Sequence, residues 1–242
     1  MGALLAAAVA LIPAVYLVVR VAEAGLPRIL AEVTTPRVAA MAGRTLALVG
    51  LVWLGSTILG VTAALLTTRT DAPGRRVFGV LLALPLAVPS YVAAYTWAAI
   101  ADLWDPSGRF DGFWAAVLVL TLYSYPYVYL TVASALAGQD QGPAEVARSL
   151  GEGEWGVLRR VTLPLALPAI LQGLNQTVMM ALGMVVIASM IGARGVGETV
   201  LLGLQRGDAG QGFVGGLAIV LLAVAFDRIT QAYGRRIQVR GA

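Results

Sequence analysis

Six apolar runs separated by short polar segments constrain the fold of this chain more than any other feature of its sequence. They are Ala3–Val19, Thr45–Thr68, Val77–Ile100, Phe113–Ala137, Pro164–Ile191 and Gly212–Phe226. An α-helix needs about 20 mostly apolar residues to cross the roughly 30 Å of hydrocarbon in a bilayer. Within lipid, every backbone polar group has to be satisfied inside the protein. The runs therefore predict an all-α polytopic membrane protein with six transmembrane helices. Pro164–Ile191 exceeds one crossing and is expected to tilt or break. Gly212–Phe226 falls short and is expected to recruit Asp227–Gln231 into a partner-facing end.

Composition agrees. Hydrophobic residues make up 59% of the 242 positions and charged residues 12%, with a mean hydropathy of +0.82, whereas soluble domains carry about 25% charged residues. Positions 1–242 leave no room for a sizeable soluble domain and read as one transmembrane domain. The net charge of +4 comes from arginine alone, since lysine is absent. Basic residues beside apolar runs signal membrane topology rather than nucleic-acid binding. Cysteine and histidine are also absent, which excludes a disulfide framework, a Cys/His metal site and a histidine-dependent protease. The start lacks a charged leader and a cleavage site, so Ala3–Val19 is expected to stay as a span.

With the N-terminus inside, ten arginines fall in cytoplasmic segments and seven outside. The positive-inside rule thus puts both termini, the segment Arg69–Arg76 and the polar segment 138–163 in the cytoplasm. Pro85, Pro89, Pro126 and Pro168 interrupt apolar runs and free carbonyls that neighbouring helices or a water-filled cavity must satisfy. Ser56, Gly60 and Ala64 recur every four residues, as do Gly212 and Gly216, so backbones can approach closely there.

The polar segment EVARSLGEGEWGVLRRVTLP, Glu145 to Pro164, reads as a helix, a glycine break at Gly151 and a second short helix, a form suited to docking a partner. Glu145 near a helix start favours the positive end of the dipole. Gly151 permits a turn that a Cβ hinders. Arg159 and Arg160 suit partner carboxylates or anionic lipid equally. Gly151, Gly153 and Gly156 also spell GxGxxG, but that fingerprint needs a preceding strand, and a polar helix precedes this one. A phosphate-gripping Walker A loop needs a lysine, so any ATP that drives the protein binds elsewhere.

Within the spans, helical spacing pairs Tyr91 with Tyr95 and Tyr123 with Tyr127, while Tyr125 and Tyr129 share a different face. Packing at the interface and a cation–π surface for a quaternary ammonium ion are both open readings. Gln172, Asn175 and Gln176 are polar groups within the fifth run, suited to helix–helix hydrogen bonds or to lining a pathway. Ser189 and the glycine-rich loop Ile191–Glu198 fit an outer gate or a tight turn.

The segment from Glu145 resembles the EAA loop of ABC-importer permeases. Glu145, Ala147 and Gly151 fall on its pattern, and Val161, Leu163 and Pro164 close it, with Val146 replacing a small residue. The resemblance to type I permeases covers nearly the whole chain. PAVYLVVR, LPLAVPSYVAAYTW, LYSYPYVYL and EVARSLG, in the N-terminal two-thirds, look like ferric-iron permeases. GLNQTVMMALGMVVIASMIGARGVGETVL and GLAIVLLAVAFDRITQ, in the C-terminal third, look like glycine betaine/proline/choline permeases.

The resemblance implies a MetI-like fold in the inner membrane of a prokaryote, with no cofactor in this chain and ATP and Mg on a partner subunit. It implies a coupling loop at 138–163 carrying Glu145, Ala147, Gly151, Arg159, Arg160, Leu163 and Pro164. It also implies a gate formed by the fifth span and the loop after it. The implied partners are an ABC ATP-binding subunit, a periplasmic or lipid-anchored solute-binding protein, a second permease subunit (identical or paralogous) and membrane lipid. Betaine or choline is the expected cargo and ferric iron the alternative. A passive channel is the competing class, which has no use for a docking loop.

Overall fold

The computed structural model describes residues 35–71, 73–104 and 112–240, together with Val15 and Val19. The described residues hold no strand. Four helical stretches are long and apolar enough to cross a membrane: Pro36–Thr68, Phe113–Ala137, Glu154–Gly183 and Gly210–Ile229. A bent pair, Arg75–Ala87 with Ser90–Ile100, makes a fifth. The first expected span, Ala3–Val19, lies outside the described residues except for Val15 and Val19, and so does the segment around Gly108 and Arg109.

Helix α1 (Pro36–Thr68) starts earlier than hydropathy predicts, because Thr35 caps it by accepting a hydrogen bond from the Val38 N–H and Pro36 presets the first turn. Arg37 and Arg44 lower the hydropathy of its first ten residues without opposing helix. The third run is not one straight helix. It divides into α2 (Arg75–Leu81), a 3₁₀ turn (Leu84–Ala87) and α3 (Ser90–Trp104), with a bend of 93°. Pro89 disfavours helical backbone at the residue before it, and Val88 is accordingly extended (φ −95°, ψ 124°).

Helix α4 (Phe113–Ala137) runs through Pro126 and is the most enclosed, packing on α1 and on α7 (Leu163–Gly183). The Ser56/Gly60/Ala64 stripe faces it. A Cβ on Gly60 would lie 2.6 Å from Val128 Cβ, and one on Gly173 of α7 would lie 2.9 Å from Val128 Cα. One residue of α4 is thus gripped between two glycines from different helices. Ser56 donates to the Thr121 carbonyl in the same interface.

The fifth run breaks as expected: α7 ends at Gly183, and α8 (Val185–Met190) follows Met184. A short helix that hydropathy does not separate, α9 (Val196–Arg206), then packs against α10 (Ala209–Arg240). Gly212 of α10 lies against Gly203, whereas Gly216 lines an apolar cavity between the two helices. Of the apolar window within Gly210–Ile229 only 6% is fully buried among the described residues: Ile219, Leu222, Ala223 and Phe226 are half-buried against the core, whereas Leu217, Val220, Leu221 and Val224 are exposed.

Candidate functional site

The polar segment between α4 and α7 folds as the sequence suggests. Helix α5 (Gly142–Ser149) opens with Asp140 accepting the Gly142 N–H at 3.1 Å, carries Glu145 exposed in its first turn, and buries Ala144. It closes in a Schellman turn: the Glu152 N–H bonds the Ala147 carbonyl at 3.1 Å and the Gly151 N–H bonds that of Arg148 at 3.0 Å. This closure needs a left-handed residue after the cap, and Gly151 supplies it at φ +89°.

A single turn, α6 (Glu154–Val157), follows and is braced against α5. Arg148 grips Glu154 in a two-point fork, Nε to Oε1 at 2.8 Å and Nη2 to Oε2 at 3.1 Å. That fork holds the Glu154 carboxyl below the usual carboxylate range and raises the Arg148 guanidinium. Arg160 pairs with Glu152 within the segment, while Arg159 is exposed.

Val157 is buried and anchors the turn. A π-turn (Leu158–Thr162) leads into α7. Proline in a continuing helix removes a hydrogen bond and crowds the carbonyl four residues back. The wider π-turn ahead of Pro164 relieves that crowding, and Leu163 packs on the buried cluster around Val132 and Leu136.

The other expected site residues are distributed along the bundle. Tyr91 and Tyr95 are exposed on α3, and Tyr123 and Tyr127 are half-buried on α4. The opposite tyrosine face has a defined role. Tyr125 donates to the Leu82 carbonyl at 2.9 Å and Tyr129 to that of Gly79 at 3.3 Å. The change from α2 to 3₁₀ geometry redirects the Ala83 and Leu86 N–H groups to Val80 and Ala83, and the tyrosines fill the acceptor positions left open.

Gln172 and Gln176 are exposed on α7, and Asn175 donates to Asp227 of α10 at 3.2 Å, a helix–helix bond. Ser189 bonds back to the Val185 carbonyl in its own helix. The loop Ile191–Glu198 is a tied turn: the Gly112 N–H bonds the Ile191 carbonyl at 2.9 Å, and Thr45 of α1 caps α9 by accepting the Val196 N–H at 3.0 Å. The cavity between α9 and α10, of about 570 Å³, is lined by Val200, Leu204, Phe213, Leu217 and Val220 among others, and no expected pathway residue lines it.

Residues 56–239 match the family described as the binding-protein-dependent transport system inner membrane component. The chain belongs to this family. It is 36% identical over 208 residues to the glycine betaine/proline betaine transport system permease protein ProW of Escherichia coli (strain K12), covering 80% of this chain and 58% of that protein. It is 33% identical over 141 residues to the Fe(3+)-transport system permease protein FbpB 2 of Haemophilus influenzae, covering 58% of this chain and 27% of that one. The chain thus spans little more than half of the first relative and about a quarter of the second. The betaine-type likeness extends well beyond the C-terminal third where its sequence motifs were read. Among solved structures, the inward-facing MetNI methionine ABC transporter matches with a TM-score of 0.68 at 22% identity, over 83% of this chain and 94% of that one, which establishes the MetI-like fold.

Two features of this family member's polar segment escape a reading by motif. Leu150 is 80% exposed and Trp155 is 84% exposed, and with Val146 they project an apolar surface from a charged loop. The only sequence signal for them is an apolar residue on either side of the Gly151 break.

Proposed function

We propose that this chain is the membrane-spanning permease subunit of an ATP-driven ABC importer for compatible solutes of the glycine betaine or choline type. Two such subunits, identical or paralogous, pair with two ATP-binding subunits and an external solute-binding protein, because one set of spans supplies only half of a two-fold pathway. The chain is not itself the ATPase: without lysine it has no Walker A loop, and ATP and Mg sit on the partner. Both termini and segment 138–163 face the cytoplasm.

The observation that carries this reading is the braced, outward-facing segment α5–α6. Trp155, Leu150 and Val146 supply the apolar anchor of an interface, Glu145 and Arg159 its charged rim, and the ion pairs hold its shape in advance. Closure of the ATP-binding subunits displaces this segment and rocks the spans between inward- and outward-open arrangements, as packed interfaces switch between discrete states. Gln172, Gln176, Ser189 and the tyrosine pairs Tyr91/Tyr95 and Tyr123/Tyr127 belong to the pathway side of the reading. A methylated ammonium passing an aromatic ring gains roughly 0.5–2 kcal/mol, enough to guide a ligand but too little to select it, so selection rests with the binding protein.

Glu145→Ala and Gly151→Val are expected to leave the chain in the membrane while uptake falls and ATP hydrolysis continues. Full uptake by both variants would reject docking at this segment. Ferric iron is the second reading, favoured by the FbpB 2 likeness and the N-terminal motifs.

A further inference from the structure

The ends of three spans meet beneath the docking segment through one side-chain relay. Arg69 is the C-cap residue of α1, its own N–H bonded to the Leu65 carbonyl at 2.8 Å. Its Nη2 donates to the Leu136 carbonyl at the end of α4 at 3.2 Å and to Gln139 Oε1 at 2.6 Å. Gln139 Nε2 in turn donates to the Thr162 carbonyl, at the entry to α7, at 3.4 Å. Leu136 and Thr162 are buried and Arg69 Nε is enclosed by protein, while Arg69 and Gln139 as wholes are half-buried, so the relay is partly withdrawn from water. A guanidinium at the carbonyl end of α4 is favoured by the helix dipole, and a charged donor strengthens the bond.

The geometry points to Arg69 and Gln139 as the positioning pair that transmits displacement of the docking segment to the bundle. The segment is joined covalently to α4 and α7 alone. Arg69 adds α1, so that a push on the segment moves three helices as one body rather than bending two. This rests on the docking role proposed above for segment 138–163 and assigns a function to Arg69, outside the segment, and to Gln139 at its start. Neither residue touches a partner or a solute in this account.

The test uses the full complex, permease with ATP-binding subunits and binding protein, in proteoliposomes, and counts ATP hydrolysed per labelled solute imported. Arg69→Gln is expected to raise that ratio about tenfold, as loss of a charged hydrogen bond does to an equilibrium, with assembled complex undiminished. Gln139→Ala should raise it in the same direction, and the double variant should match the larger single effect, because the two residues form one network. If Arg69→Gln fails to assemble, Gln139→Ala decides alone. A wild-type ratio in the assembled variants, or effects that multiply in the double, would overturn the clasp. Gly151→Val, run in parallel, separates the two claims. Uncoupling there with an unchanged ratio in the clasp variants rejects the clasp alone, and no effect in any variant rejects the docking role with it.

Discussion

Gly151 shows how one residue sets the shape of the proposed docking segment. At φ +89° a side chain costs roughly 1–2 kcal/mol of backbone strain, so Gly151→Val should loosen the Schellman turn without touching the spans. Hydrogen exchange of residues 147–153 should quicken while that of α4 stays as it is. The Arg148–Glu154 fork supplies a pH dependence of definite sign. A carboxyl whose folded-state value is lowered contributes stability that is present above the ordinary glutamate value of about 4.3 and disappears as pH falls through the lowered value. Exchange protection of residues 150–157 should therefore hold at neutral pH and be lost as pH falls below the ordinary glutamate value and through the lowered one. Glu154→Gln should flatten that acid limb, and an unchanged limb would remove the fork from the account. The break at Gly151 was legible because a glycine between two polar helical stretches has few uses. Leu150 and Trp155 were not, because exposure is a property of the fold.

Among the elements, the broken third span depends on tyrosines contributed by another helix. Tyr125→Phe and Tyr129→Phe leave the half-buried Leu82 and Gly79 carbonyls without their hydroxyl partners, at about 0.5–1.5 kcal/mol for each hydrogen bond lost. The midpoint of thermal unfolding in detergent should drop for each variant, and an unchanged midpoint for both would show that water serves those carbonyls instead. Gly60→Val forces a branched side chain against Val128 and the Tyr125 carbonyl, an overpacking of about 1–3 kcal/mol, and should lower the yield of folded protein more than Gly216→Val, which meets open space.

The sequence placed Phe113–Ala137 at its true ends and marked Pro85 and Pro89 as interruptions. It did not separate α9, since the glycines of Ile191–Glu198 hid a helix whose N-terminus is capped from α1 by Thr45. It also shortened the last span, because α10 continues as a charged helix to Arg240 and hydropathy registers only the apolar part. The partner of Asn175 was undecidable from sequence: Asp227 lies 52 residues away, and only tertiary packing brings the two together.

On the scale of the whole molecule, the exposed face of α10 and the Gln172/Gln176 face of α7 have no cover among the described residues, in keeping with a subunit that completes its pathway by pairing. Reporter fusions at Gly74 and Gln139 should read cytoplasmic and one at Gly108 periplasmic, and a reversed pattern would place the docking segment on the wrong side for ATP. Uptake of labelled glycine betaine and labelled ferric iron, measured in cells carrying the permease and its ATP-binding subunit with each candidate binding protein in turn, separates a betaine importer from the alternatives. Betaine import that requires ATP and a binding protein is the predicted result. Iron import without betaine, or a flux that follows its gradient without ATP, would contradict it.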